Sequence, residues 1–441
     1  MLVSGRVREV HAGGSRFRRH ASSLPDITEA AAPPPTRLRD NRDFKVLLVG
    51  QSASALGDAV SVTAMPLVVL ALTGSGTLLG VVAALELLPA LLLGLPSGAL
   101  ADRLDKRTLL IWSDAGRAVL TAAIPVAIWL DASAVVVILI VTAPVNALRV
   151  LFESTFAAAV PPLVGREHLG RAMSYLESVL SVPFIIGPAL AGIMLVTVGP
   201  AATLAIDAAS FAVSAVSLQL LRRRLVVEQG DEPHTLLSDI KAGLRFVVAH
   251  RELRSLIGYW CLASLATAGI LPALSYYVTL DRELGNAVFG FVGSAWSVGY
   301  LVASLGNARM ANRWLSARLV ASGLVVGLGV LAFSLTGNLV GLLAAGFVVG
   351  AGLAVQLIAY ATLRTSYTPD DLLGRVGSVA RTATLGLQPL GVLGVGVALD
   401  LVDGQGTLLA MGLLSVVVAA GYGLVLATRP RDAGGVPTAA R

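Results

Sequence analysis

Apolar residues in this chain fall in runs long enough to cross a membrane, and that feature leaves few folds open. A transmembrane α-helix needs about 20 mostly apolar residues to span a hydrocarbon core of about 30 Å. In lipid every backbone N–H and C=O must be satisfied within the protein, so such runs form helices. They lie at 44–72, 76–101, 107–130, 134–158, 170–196, 200–221, 252–280, 287–309, 317–336, 338–363, 373–399 and 406–427, twelve in all. Only 14% of the 441 residues are charged, against about 25% in soluble domains. That is too few to clothe the two or three soluble domains such a length would make. The 46 glycines suit close helix packing in lipid.

Net charge is +6, but the arginines sit in short loops between apolar runs, so a membrane rather than nucleic acid is the expected partner. Lys and Arg gather in the N-terminal tail and in the loops after spans 2, 4, 6, 8 and 10, while the opposite loops hold Asp131, Asp281, Glu283, Asp400 and Asp403 with Arg282 as their one base. Cytoplasmic loops carry the excess of basic residues, so both termini are expected in the cytoplasm of a plasma (inner) membrane. The expected organisation is a disordered basic tail over 1–43, a six-helix half over 44–221, a linker over 222–251, a second half over 252–427 and a short tail over 428–441. Part of the linker is amphipathic and is expected to lie on the membrane surface. An internal repeat supports two halves: Leu169-Gly170-Arg171 matches Leu373-Gly374-Arg375, and Ser174, Gly187 and Gly192 match Ser378, Gly391 and Gly396 at the same offset. Parallel halves around a midplane site are an architecture for alternating access.

The densest charge motif between two spans is Gly98-Ala-Leu-Ala-Asp102-Arg103-Leu-Asp105-Lys106-Arg107. Such charges belong together where they cap helix ends or pair across an interface. Further elements are Gly57-Asp58, Thr73-Gly74-Ser75, Leu88-Pro89, Asp114-Ala-Gly-Arg117, Gly187-Pro188-Ala-Leu-Ala-Gly192, Asp207-Ala-Ala-Ser-Phe211 and Gly243-Leu-Arg245-Phe246. Together they resemble the major facilitator superfamily, and within it the drug, macrolide and siderophore exporters, over about residues 40–430. The resemblance implies twelve helices in two pseudo-symmetric halves. It also implies that the Gly98–Arg107 motif latches the halves and that Gly187, Pro188 and Gly192 form an antiporter-type element. A plain proline kink explains that element equally well. The second half holds a worn copy of the latch, Ala311-Asn312-Arg313, with Asn312 in place of the acid.

Ionisable residues inside a bilayer are functional candidates by default. Asp58, Glu86, Asp114, Glu153, Glu177 and Asp207, with Arg117 and Arg149, all fall in spans of the first half, whereas in the second half only Arg381 lies well inside one. Proton coupling is therefore expected in the first half, with Asp58, Glu86 and Glu153 as candidates. Asp58 could instead be an aspartate held by a basic neighbour. Asp114 and Arg117 lie on one helical face and are expected to pair, as are Arg149 and Glu153. Asp207 reads as a helix-packing residue, and a Glu177–Arg381 contact between halves is a further option. Trp260, Tyr276, Tyr277, Trp296 and Tyr300 cluster in spans 7 and 8, as cavity wall or as interfacial anchors.

The function these features favour is proton-coupled export of small amphipathic molecules by a monomer, with the bilayer, substrate and protons as partners. Uptake of a metabolite, or a sensor or scaffold on a transporter fold, are the alternatives. No cofactor or metal is expected, since the one cysteine and five scattered histidines offer no ligand spacing. No phosphate-binding Gly-rich loop or His-Glu-x-x-His motif occurs, so an ATPase or an intramembrane enzyme is not expected.

Overall fold

A computed structural model describes residues 38–222, 236–308 and 314–428. Within them the chain forms α1 (Arg42–Thr73), α2 (Gly76–Arg103), α3 (Lys106–Trp129), α4 (Ala134–Val164), α5 (Leu169–Thr197), α6 (Gly199–Gln219), α7 (Leu236–Ala249), α8 (Arg251–Thr267), α9 (Ile270–Tyr276), α10 (Asn286–Ala308), α11 (Leu315–Leu335), α12 (Leu339–Ser366), α13 (Leu373–Leu401) and α14 (Gly404–Ala427). Twelve segments are long and apolar enough to cross a membrane, with α8 and α9 making up the seventh. No strand occurs among the described residues. Several helices start where a polar side chain takes up a free N–H group. Asn41 accepts from Phe44 N at 3.0 Å, Asp105 from Thr108 N at 2.8 Å and Asn338 from Gly341 N at 2.8 Å.

The seventh span departs from the single helix expected over 252–280. Gly269 leaves helical geometry at φ −100°, ψ 15°, and Pro272 follows three residues later. Pro272 has no N–H and its ring crowds the carbonyl four residues back, at Ala268, which favours the break there, although α1 and α2 run unbroken through Pro66, Pro89 and Pro96. A π turn over Tyr277–Asp281 then ends the span. The expected surface stretch is partly seen as α7, which packs on α8 and α13 through Val247, Leu253, Val376 and Ala380.

Helix packing repeats. In the first half α1 lies against α5 and α6, α2 against α4, and α3 against α4 and α6. In the second, α8 lies against α13 and α14, α10 against α12, and α11 against α12 and α14. The matched Leu-Gly-Arg triplets open α5 and α13, each directly after a short 3-10 turn. The halves meet along two equivalent seams, α2 with α13 and α5 with α10.

Small residues make these seams. A Cβ on Gly80 would sit 2.8 Å from the Cα of Gly396, and one on Gly192 would sit 2.7 Å from the Asn286 carbonyl. The repeat partners Gly192 and Gly396 thus do one job, letting backbones touch across the halves. The α2–α13 seam is also closed by charge at one end of the molecule. Asp400, near the end of α13, accepts from Gly76 N at 2.6 Å, Thr77 N at 2.8 Å and Ser75 Oγ at 3.1 Å. A carboxylate on exposed N-terminal amides of a helix is favourable by hydrogen bonding and by the helix dipole. At the other end of α2, a Cβ on Gly94 or Gly98 would meet nothing within 4 Å.

Candidate transport site

The first half encloses a charge cluster centred on Arg117 of α3, whose side chain is 2% exposed. Its Nη2 donates to Asp58 Oδ1 of α1 at 2.6 Å, and its Nη1 donates to Asp114 Oδ1 on its own helix at 3.4 Å. The guanidinium carbon lies 3.7 Å from the centroid of the Phe211 ring of α6, a desolvated cation–π contact. The expected Asp114–Arg117 pair is present, yet the shorter bond runs to a different helix. Helical spacing reveals i,i+3 partners and cannot reveal that one.

Asp207 of α6 completes the cluster. It is buried, and a Cβ on Gly57 would sit 2.7 Å from its Oδ1, so the glycine before Asp58 is what lets α1 come this close to α6. From the sequence Asp207 reads as a packing residue. A signal exists there, an acid one turn before Phe211 inside a span, but nothing in the chain says that α6 turns this face to Arg117. Three carboxyl groups thus surround one guanidinium in an apolar interior. Breaking a buried ion pair costs about 3–5 kcal/mol, and a surplus of buried carboxylates is unfavourable unless cations or protons offset it.

The cluster opens on a cavity of about 70 Å³ lined by Asp58, Ser61, Glu86, Thr142, Asn146, Arg149, Asp207 and Phe211, among others. At about 30 Å³ per molecule it has room for roughly two waters beside these polar side chains, with Val62, Met65, Ile124, Val141 and Val145 completing the wall. Glu86 of α2 and Arg149 of α4 share it, and Arg149 Nε lies 3.7 Å from Glu153 Oε1 one turn further on. Glu153 itself is 61% exposed. The acids Asp58, Glu86 and Asp207 are therefore brought to one cavity, and Glu153 stands outside it, joined through Arg149.

The Gly98–Arg107 motif acts, where described, within its own half. Asp105 caps α3, Lys106 is buried, and Arg107 donates to the carbonyls of Leu218 (3.2 Å) and Gln219 at the end of α6. Basic groups at a helix C-terminus satisfy its last carbonyls. The side chains of Asp102 and Arg103, and the whole of Arg313, lie outside the described residues. Glu177 and Arg381 are both exposed and form no ion pair with each other in this state.

The antiporter-like element lies on the second seam. Gly187 packs against Ala59 of α1, and Pro188 presses on Gly290 and Gly293 of α10. Just after the proline, Ala189 N donates to Ser294 Oγ of α10 at 3.1 Å. A backbone donor beside the proline is thus satisfied across the halves.

Of the five aromatic candidates, three face cavities. Trp260 lines one of about 340 Å³ with Leu87, Ser264, Thr267, Gln356 and Gln388. Its ring is stacked on Tyr360 at 4.1 Å, and Gln356 Nε2 donates to Tyr259 Oη at 2.7 Å. Trp296 and Tyr300 line a second cavity, of about 400 Å³, with Ser181 and Phe184 across the α5–α10 seam. Tyr277 does not fit the expectation. It is fully buried, donates to the Thr336 carbonyl at 2.9 Å and accepts from Arg282 Nε at 2.8 Å. Tyr276 packs beside it against the main core.

A two-half, twelve-span bundle with inter-half cavities and a buried charge cluster has the architecture of a secondary transporter. Residues 34–434 match the family described as transmembrane secretion effector, and the chain belongs to that family of the major facilitator superfamily. It is 30% identical over 393 residues to the multidrug efflux pump Tap of Mycolicibacterium fortuitum, across 83% of this chain and 92% of that one. Macrolide efflux protein A of Streptococcus pyogenes is 24% identical over 223 residues, 48% of this chain and 53% of its own. The solved nucleoside transporter NupG superposes with a TM-score of 0.70 at 14% identity, over 88% of this chain and 100% of that one, a likeness of fold alone.

Proposed function

We propose that the protein exports small amphipathic molecules across a plasma membrane in exchange for protons, by alternating access of its two halves. The observation that carries this reading is the cluster of Asp58, Asp114 and Asp207 around the single Arg117, with its wall on a cavity. Carboxyl groups that outnumber their cations in a dry interior suit the uptake and release of protons. The efflux activity named for the relatives supports the outward direction of substrate. The excess of basic residues in alternate loops supports a cytoplasmic position for both termini and for the end carrying the Gly98–Arg107 motif. Asp400 then closes the outer end, and the cavity of the second half, walled by Trp260, Gln356 and Gln388, receives the substrate from inside. An aromatic face with neutral amides and hydroxyls suits a planar amphipathic compound.

Efflux of a fluorescent amphipathic dye from cells, with and without an uncoupler, tests the reading. Expression should speed efflux, the uncoupler should abolish the gain, and Asp58→Asn should behave as wild type plus uncoupler. Dye accumulation instead of loss would point to uptake, and efflux indifferent to the uncoupler would sink the proton-coupled reading.

A further inference from the structure

We infer that Asp207 is the group that carries the coupling proton, and that it does so by competing with Asp58 for Arg117. The inference rests on the proton-coupled reading above and assigns the role to a residue that neither sequence pattern nor ion-pair geometry singles out. Each of the four acids near the cavity differs in one decisive way. Asp58 lines the cavity, but its Oδ1 is committed to Arg117 at 2.6 Å. Asp114 is fully buried and is no part of the cavity wall, so it has no route for a proton. Glu86 lines the wall with Arg149 and is largely buried, but neither of its oxygens is both buried and unpartnered. Asp207 alone combines a place on the wall with an oxygen, Oδ1, that is buried and has no hydrogen-bond partner. A buried anionic oxygen left unpaired is strongly unfavourable, whereas the protonated acid tolerates the site.

The cluster also holds the matching spare donor. Arg117 spends Nη2 on Asp58 and Nη1 on Asp114, and its Nε is buried with no partner. Two acceptors in the cluster are also unused, Asp207 Oδ1 and Asp114 Oδ2, and only Asp207 stands on the cavity wall. The spare donor and that acceptor mark a second arrangement in which they meet. Phe211, one turn after Asp207 on α6, already holds the guanidinium by its face, so it can pivot without leaving its seat. Asp58 of α1 and Arg117 of α3 face Asp207, Ser61 of α1 hydrogen-bonds its carboxyl group, and Glu86 of α2 and Arg149 of α4 share its cavity.

With Asp207 as the neutral acid, Arg117 stays on Asp58, the arrangement in this structure. Loss of its proton to a water in the cavity breaks one O–H bond and leaves a carboxylate, which draws the guanidinium to itself. Asp58 is then released, and α1 is freed from α3. Since α1 packs on both α5 and α6, a change in this bond reaches the α5–α10 seam. Protonation of Asp207 from the other side reverses the exchange.

Infrared difference spectroscopy of the purified full-length protein during a pH titration reads this directly. A protonated carboxylic acid has a C=O stretch that its carboxylate lacks. Wild type should lose one such band with a single midpoint as pH rises. Asp207→Asn should lack that component, Asp58→Asn should keep it with a displaced midpoint, and Asp207→Glu should keep it at a shifted frequency, which separates a proton-carrying role from a purely structural one. Survival of the band in Asp207→Asn, or its disappearance in Asp58→Asn, overturns the inference. Proteoliposomes loaded with ethidium separate this from the function proposed above. If the band behaves as expected while a pH gradient drives no ethidium movement in wild type, proton-coupled export fails and the proton site stands. If the gradient drives ethidium equally in wild type and Asp207→Asn, export stands and the proton-carrying role of Asp207 fails.

Discussion

The two halves share one packing plan and differ in what they bury. Around the α3 seat the first half encloses Lys106, Asp114, Arg117 and Asp207, and adds Asp58 and Glu86 on a cavity wall. Among the described residues of the second half the buried polar groups are neutral, such as Ser264, Gln356, Thr384 and Ser415. Its interior is built instead from stacked rings, Tyr259 on Tyr422 at 4.4 Å and Trp260 on Tyr360 at 4.1 Å. Small residues such as Gly192 and Gly396 set the repeated fold, and they are indifferent to the chemistry between them. One half is therefore free to handle charge and the other to present an aromatic, amide-lined wall. Under the proposed function, keeping charge in one half and the aromatic wall in the other spares that wall from the cost of unpaired ions in lipid.

The contrast should collapse most completely when the one cation of the first cluster is removed. Arg117→Ala leaves buried carboxyl groups without their partner. It should lower stability by about 3–5 kcal/mol, read as a lower melting temperature of the detergent-solubilised protein, and abolish energised efflux. Gln356→Leu in the second half removes a neutral donor from the buried Tyr259 hydroxyl and should lower the melting temperature less, by the equivalent of about 1–3 kcal/mol.

Next comes the seam both halves share. In Gly80→Val the new Cβ meets the Gly396 backbone, and overpacking of this kind costs about 1–3 kcal/mol. The Gly76 end of α2 and the Asp400 end of α13 should part, seen as longer distances between spin labels placed at those two ends. Asp400→Asn acts at the same place more gently. Asp400 is exposed, and a carboxylate at a helix N-terminus contributes about 0.3–1 kcal/mol, so the population should shift by only a few-fold.

Trp260→Ala probes the same division from the second half. Loss of an aromatic face should weaken dye binding by about 0.5–2 kcal/mol, raising KM while leaving the pH dependence of efflux in place. The smallest effect is expected at Glu153→Gln, since its i,i+4 pair with Arg149 is largely exposed and pairs of that kind contribute about 0.3–0.5 kcal/mol.

Much of this is legible in the sequence, for reasons that name its limits. Twelve spans can be counted because lipid demands long apolar runs, and Leu169-Gly170-Arg171 with its repeat marks the halves because the same turn opens α5 and α13. Asp58, Asp114 and Arg117 stand out because charge inside a span is rare. What cannot be read is which helices face each other. Asp207 looks like packing until α6 is seen to turn it toward Asp58 and Arg117. Tyr276 and Tyr277 look like cavity wall because apolar periodicity does not show the non-helical Gly269 before them or the π turn that follows Tyr276. The aromatic wall of Trp260 and the Asp400 seal depend on helices far apart in the chain, which periodicity does not relate.

Proton and dye fluxes measured together, in proteoliposomes holding wild type, Asp58→Asn or Trp260→Ala, put the division of labour itself to the test. Asp58→Asn should stop dye-linked proton movement while dye still binds. Trp260→Ala should weaken dye binding while each dye that does cross remains matched to protons as in wild type. Proton movement coupled to dye as in wild type in Asp58→Asn, or uncoupled in Trp260→Ala, would show that the two halves do not divide the work this way.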